Sequence, residues 1–348
     1  MNLGPSLRTI AKDPPPRLIV GVELGGTKCI STLADEHGRL LEQHKIPTTN
    51  PDQTLPQLAA HVENWCERYE VRAIGIASFG PLDLDDCSPT YGQIPATTKP
   101  GWTGAEVLRR VAARQNLPTA FDTDVNGAAA AEMRWGSGQG LSDFAYVTVG
   151  TGVGVGLFVN GQPTRGLGHC EMGHIRVPRL PGDETASVCN FHPDCVEGLA
   201  SGPAIKAALG GRSFDQVEMS DPVWERVAHA IASLCHALVC TTGPQRIALG
   251  GGVMERQPHL RDRIEPLLRA SVNGYLRIPD AVPYIVAPAL GEQAGALGPI
   301  ALACGMIPEW RVSDKSSSRD TDVRSQQRTA GPGAAETEPD DRTMGATP

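Results

Sequence analysis

The chain has no run of about 18 uninterrupted apolar residues, the length a helix needs to cross a bilayer. That excludes a membrane-spanning segment. Its first residues, MNLGPSLRTIAKDPPPRL, have no apolar stretch of the kind that directs secretion. Positive charge is not in excess: the formal net charge is −8, which argues against a non-specific nucleic-acid binder. Cysteines are odd in number, at nine. Several of them (Cys29, Cys235, Cys240, Cys304) lie in apolar segments and read as small hydrophobes, so no disulfide framework is expected. Together these absences point to a soluble protein of a reducing cytoplasm, without a membrane or nucleic-acid partner.

A chain of 348 residues, with hydrophobic content of 40% and charged content of 20%, is long for one core and suits two lobes. Residues 1–16 read as a disordered leader. From about Ser313 the sequence carries almost no apolar residues and reads as a disordered tail over 313–348. Between the ends, strands are expected at Leu18–Val22, Cys29–Leu33 and Leu40–Ile46, then a helix over Thr54–Tyr69 with Leu55, Leu58, Val62 and Trp65 on one face. A buried strand at Val71–Ala77, a helix over Gly104–Gln115, a short strand at Thr119–Asp122 and an alanine-rich helix over Val125–Trp135 follow. Further strands are expected at Phe144–Val149 and Gln245–Leu249, with a long helix over Pro222–Thr241. A three-strand meander followed by alternating helices and strands, repeated in the second half, predicts a duplicated α/β unit with a cleft between lobes. The lobes are expected at 17–122, completed by a C-terminal helix near 294–308, and at 123–293.

The pattern H-x14-C-x2-H-x2-C, formed by His174, Cys189, His192 and Cys195, suits tetrahedral zinc with two sulfurs and two nitrogens. Four protein ligands leave no open position, so such a zinc is structural. The CNFHPDC loop has too little apolar surface to order itself without a metal. Glu171 precedes His174 and Glu197 follows Cys195, so the metal would fix both carboxylates. Loss of metal is expected to weaken whatever they bind and to spare the glycine loops, taken to be distant.

Three glycine-rich segments could bring backbone amides close to phosphate. VELGGTK carries Gly25, Gly26, Thr27 and Lys28, but Gly-Gly also suits an ordinary hairpin turn. VTVGTGVGVG carries Gly150, Thr151, Gly152 and Gly154, and a tight strand crossing would explain it equally. IALGGGVM carries Gly250, Gly251 and Gly252 between a strand and a helix start. None of them contains GxxxxGK[ST] or GxGxxG, so a P-loop or a Rossmann site is excluded. In FDTDVNGAAAAE, Asp124 could accept a proton from an attacking hydroxyl or simply cap a helix. Asp122 competes for the same role, and spacing does not separate the two.

These motifs, with ATTKPGW, GHCEMGHI, CNFHPDCVEGLASGPAI and LGEQAGALG, resemble the ROK family of sugar kinases, and more narrowly its zinc-containing bacterial fructokinases. The resemblance runs from about Leu18 to Pro308. It implies a two-lobed hexokinase/actin-like (ribonuclease H-like) fold, and an ATP- and Mg2+-dependent homodimer with one structural Zn2+ per chain that makes fructose 6-phosphate. Carried over by residue, Asp124 is the general base. Gly25–Lys28 and Gly150–Gly154 hold phosphate, and Gly250–Gly252 lie against adenosine. Lys99, Gly101, Trp102, Asn126, Glu171 and Glu197 meet the sugar. Departures are Glu23 where many members carry Asp, which leaves a part in Mg2+ binding open, and Cys170, a thiol without an assigned role. Kinases of mannose, glucose or N-acetylmannosamine are the nearest alternatives. A sugar-binding repressor is disfavoured, because about 17 residues before the first strand are too few for a winged helix-turn-helix.

Overall fold

Leu18–Leu24 (β1) is a nearly continuous apolar run, as expected of a strand covered on both faces. Val20, Val22 and Leu24 pack with Leu55, Leu58, Val62 and Trp65, whereas Ile19 packs with Ile300, Ala303 and Cys304. The computed structural model describes residues 16–214 and 217–307. The leader and tail expected at 1–16 and 313–348 lie, but for residue 16, outside the described residues.

The first half runs β1, β2 (Lys28–Asp35), β3 (Leu40–Pro47), α1 (Pro51–Arg68), β4 (Val71–Ser78), a ribbon of β5 (Gln93–Ile94) and β6 (Ala105–Glu106), α2 (Val107–Ala112), β7 (Thr119–Thr123) and α3 (Asp124–Trp135). The second half runs β8 (Phe144–Val149), β9 (Val153–Val159), β10 (Gln162–Pro163), a 3-10 turn at Met172–His174, α4 (Val196–Ala200), α5 (Gly202–Ala208), α6 (Pro222–Thr241), β11 (Arg246–Gly250), α7 (Gly252–Arg256), α8 (His259–Val272), β12 (Ile285–Val286) and α9 (Gln293–Met306). The first sheet has the order β3-β2-β1-β4-β7 and the second β10-β9-β8-β11-β12. Each is an antiparallel meander continued by two parallel strands, so the duplication expected from the pattern is present.

Several element ends differ from expectation by one to three residues, the helix expected from Thr54 beginning at Pro51. The helix expected over Gly104–Gln115 is cut to Val107–Ala112, because Gly104 takes a positive φ of 78° and gives its N–H to Ile94 O at 2.7 Å, turning the chain into the ribbon. The strand expected at Gln245–Leu249 lies one residue later.

α9 lies on the first sheet, where a Cβ on Gly75 of β4 would overlap Pro299 O. α3 lies on the second, where a Cβ on Gly154 of β9 would come within 2.7 Å of Val125 Cγ1 and one on Gly156 would overlap Val125 O. The two helices cross backbone to backbone: a Cβ on Gly298 would sit 2.7 Å from Gly127 C. Neither backbone can yield locally. We expect Gly298→Ala to lower stability by about 1–3 kcal/mol. Urea unfolding should report this as a lower midpoint at an unchanged slope; an unchanged midpoint would mean the crossing is loose.

Candidate active site

The β7–α3 junction sorts the two competing aspartates. Asp122, 2% exposed, accepts from Thr123 N at 2.7 Å and from Asn126 Nδ2 at 2.8 Å, and pairs with Arg165. It is fully engaged. Asp124 opens α3 behind an N-cap, Thr123, whose hydroxyl accepts from Asn126 N. Its Oδ1 accepts only from Val125 N, at 2.9 Å, and among the described residues no cation pairs with it. Burial pushes its carboxyl up to about 6; the Val125 amide opposes this, and the negative charge of Glu171 adds to it. Glu23 on β1 is pushed up to about 7 by burial and by Asp124, against Lys28 and Lys45. The arrangement therefore holds one half-buried carboxylate ready to take a proton and one buried carboxylate that is spent.

The glycine loops divide in the same way. A Cβ on Gly26 or on Gly150 would meet nothing within 4 Å, and one on Gly252 only the end of Arg256. Those three are open to a ligand. Gly25 is required by its turn, where a Cβ would lie 2.7 Å from Lys28 O. Gly250 packs on Pro288, and Gly251 has a φ of 88° against β8. Gly154 serves the crossing with α3, so for that residue strand packing, not phosphate, accounts for the glycine. Thr27, Lys28 and Thr151 are exposed beside the open positions.

Three expected sugar contacts are placed differently. Trp102 is fully buried, gives its indole N–H to Thr49 O and stacks edge-on with Phe79; a core side chain presents nothing to a sugar. Asn126, 4% exposed, uses its amide on Asp122 and braces it. The Lys99 ammonium reaches Gly26 O, so its charge belongs to the first glycine turn. Gly101 is open, with a φ of 79°. Glu197 points its Oε2 at Val153 N, 3.1 Å away, and its Oε1 lies 3.8 Å from His174 Nε2. Glu171 is exposed and near Asp124. Arg165 and His169 were not anticipated; both act across the halves of the chain, and no local pattern marks such residues.

The ligand atoms of His174, Cys189, His192 and Cys195 all lie within 4.8 Å of one another. Cys189 Sγ is 3.6 Å from both His174 Nδ1 and His192 Nδ1, and Cys195 Sγ is 3.8 Å from His174 Nδ1. A tetrahedral zinc, with bonds of about 2.3 Å to sulfur and about 2.1 Å to nitrogen, has S···N edges of roughly 3.6 Å. The group fits that metal. Amides of Phe191 and Gly198 approach the two sulfurs, and Cys195 caps α4. The expectation that the glycine loops are remote from this centre is not met for the Gly150–Gly154 loop. Glu197 joins His174 to Val153, and Gly202 N bonds Gly150 O at 2.7 Å. Cys170 rests on the Thr164 hydroxyl, 3.2 Å away, outside the cluster.

Residues 19–305 match the ROK family. A fructokinase of Pediococcus pentosaceus is 38% identical over 286 residues, covering 82% of this chain and 97% of that protein. A fructokinase of Zymomonas mobilis is 38% identical over 290 residues, covering 81% and 95%. The crystal structure of a ROK family glucokinase from Streptomyces griseus, in complex with glucose and AMPPNP, aligns with a TM-score of 0.65 at 28% identity, covering 82% of this chain and 99% of that one. With the fold and the match extending over the same residues, the chain belongs to the ROK family.

Proposed function

We propose that this protein is an ATP-dependent fructokinase that converts fructose to fructose 6-phosphate. The observation that carries the reading is Asp124: a half-buried carboxylate at the start of α3, near Glu171 and, among the described residues, without a cationic partner. The named activity of relatives at 38% identity supports the choice of sugar. In this reading Asp124 Oδ takes the proton of the C6 hydroxyl as that oxygen attacks the γ-phosphorus. The bond between that phosphorus and the bridging oxygen breaks, and ADP leaves. Amides at Gly26 and Gly150, with Lys28 and Lys99, meet the phosphates, and Gly252 leaves room for the nucleoside. Mg2+ carried in with ATP neutralises phosphate charge. Glu171 and Glu197 border the sugar, and the two halves close on it to keep out water. We extend the reading to a cytoplasmic homodimer, on family resemblance alone.

Asp124→Asn should bind fructose and lower kcat by about 100-fold or more. A base is active only when deprotonated, so with a carboxyl near 6, kcat/KM should be flat above pH 7 and fall as pH drops through about 6. Full activity in Asp124→Asn, with loss in a folded Asp122→Asn, would move the base.

Across a panel of hexoses, kcat/KM for fructose should exceed that for glucose by at least about tenfold, a difference one hydrogen bond can supply. Glucose or N-acetylmannosamine as the best substrate would assign the chain to another member activity of the family.

We propose further that His174, Cys189, His192 and Cys195 hold one structural zinc. Because Glu197 spans His174 and Val153, Cys195→Ser should lower zinc content and raise KM for both sugar and ATP, each by several-fold. Elemental analysis and initial rates decide it. Normal zinc with normal KM values in the variant refutes the assignment.

A further inference from the structure

We propose that His169 is a positioning residue for Glu171, holding that carboxylate in place over Gly80 before a substrate arrives. The inference rests on the reading that Glu171 borders the sugar.

The His169 side chain is only 6% exposed, although it belongs to the irregular segment between β10 and the 3-10 turn. Its Nε2 accepts the backbone N–H of Leu82 at 2.9 Å. An imidazole nitrogen that accepts carries no proton, so in the neutral ring the proton is on Nδ1. Nδ1 lies 3.5 Å from Glu171 Oε1. The Leu82 amide therefore fixes both the ring's orientation and its tautomer, and leaves the remaining N–H donor on Nδ1, 3.5 Å from the carboxylate and close enough to bond it after a small shift. This is the second-partner logic by which one hydrogen bond on a histidine decides what its other nitrogen does.

Glu171 needs such a partner. Its side chain is 53% exposed, and among the described residues His169 Nδ1 is the one side-chain nitrogen within 4 Å of its carboxylate. A glutamate left free samples several rotamers, and substrate would have to select one. The floor beneath the pair is also shaped for it. A Cβ on Gly80 would lie 3.0 Å from His169 Cε1, 3.2 Å from Nε2 and 3.4 Å from Glu171 Oε1. A side chain there would press ring and carboxylate away by a few tenths of an ångström. Leu82 and Gly80 follow β4 in the first half, whereas Glu171 comes from the second. His169 thus sets a second-half carboxylate against a first-half surface, on the side where Asp124 lies. The nearby Arg165–Asp122 pair ties the same segment to β7.

Two variants separate positioning from anchoring. In His169→Gln the side-chain oxygen reaches the Nε2 position and keeps the Leu82 contact, but the donor toward Glu171 is lost. In His169→Asn the amide nitrogen replaces Nδ1 and keeps the donor, but Leu82 loses its acceptor. KM for sugar, KM for ATP and kcat would be measured for both, with the best hexose of the panel. Glutamine should raise KM for the sugar about tenfold, the scale of one hydrogen bond to a charged group. KM for ATP should stay within about twofold. Asparagine should return KM for the sugar to within about threefold of the parent. The reverse ranking, or equal behaviour of the two variants, overturns the proposal. In a Glu171→Gln background, His169→Gln should add no further change in sugar KM; an additive effect also overturns it. Gly80→Ala, which leaves the histidine intact, should reproduce the selective rise in sugar KM even if the histidine variants fold poorly, and a parental sugar KM there counts against the proposal. Turnover by the parent protein is measured first: no hexose phosphorylated sinks the kinase reading itself, independently of the variant pattern.

Discussion

The crossing of α3 and α9 at Gly127 and Gly298 is the contact on which the rest of the molecule depends. A backbone-to-backbone approach lets one helix lie against the first sheet through Gly75 while the other lies against the second through Gly154 and Gly156. Interiors are packed at crystal-like density, so such an approach has no slack. It fixes where α3 begins. Asp124 is the first residue of that helix, and its position between the sheets follows from glycines far from it in sequence.

Around that point the charges are sorted rather than simply gathered. Asp122 is bound by two hydrogen bonds and Arg165, and its negative charge is spent inside the protein. Asp124, two residues on, accepts from Val125 N and keeps its capacity for a proton. Glu23 and Glu171 surround it, so burial and like charge both raise its carboxyl. Lys28 and Lys99 lie at the first glycine turn, a few residues from these carboxylates. Acid in the interior and cations at the rim is the polarity that a reaction between a hydroxyl and a polyphosphate requires.

The cluster of His174, Cys189, His192 and Cys195 is continuous with this region. Cys195 caps α4, α4 leads into α5, and the first amide of α5 bonds Gly150. Glu197 closes the circuit from His174 to Val153. A metal held by these four side chains would have no open coordination position, yet could govern the site because its ligands and the site share one short stretch of backbone. Here Cys195, Glu197 and Gly202 are within eight residues.

Much of this was legible in the chain itself. The order of strands and helices, the duplication and the four Cys and His ligands follow from local periodicity and short spacing, because hydrophobic pattern and metal-ligand geometry act over a few residues. Family membership was legible for the same reason: its motifs are local. Other features were not. Asp122 and Asp124 look alike in FDTDVN until Arg165 arrives from another element. Gly150, Gly152 and Gly154 look alike in GTGVG until α3 and Glu197 pack against two of them. Trp102 reads as a pocket residue until Thr49 and Phe79 enclose it. In each case the deciding atom comes from far along the chain. The sequence by itself determined which elements form and which residues can ligate a metal, and the tertiary structure alone decided which of several identical residues is free to act, because burial and pairing are properties of neighbours brought together by folding.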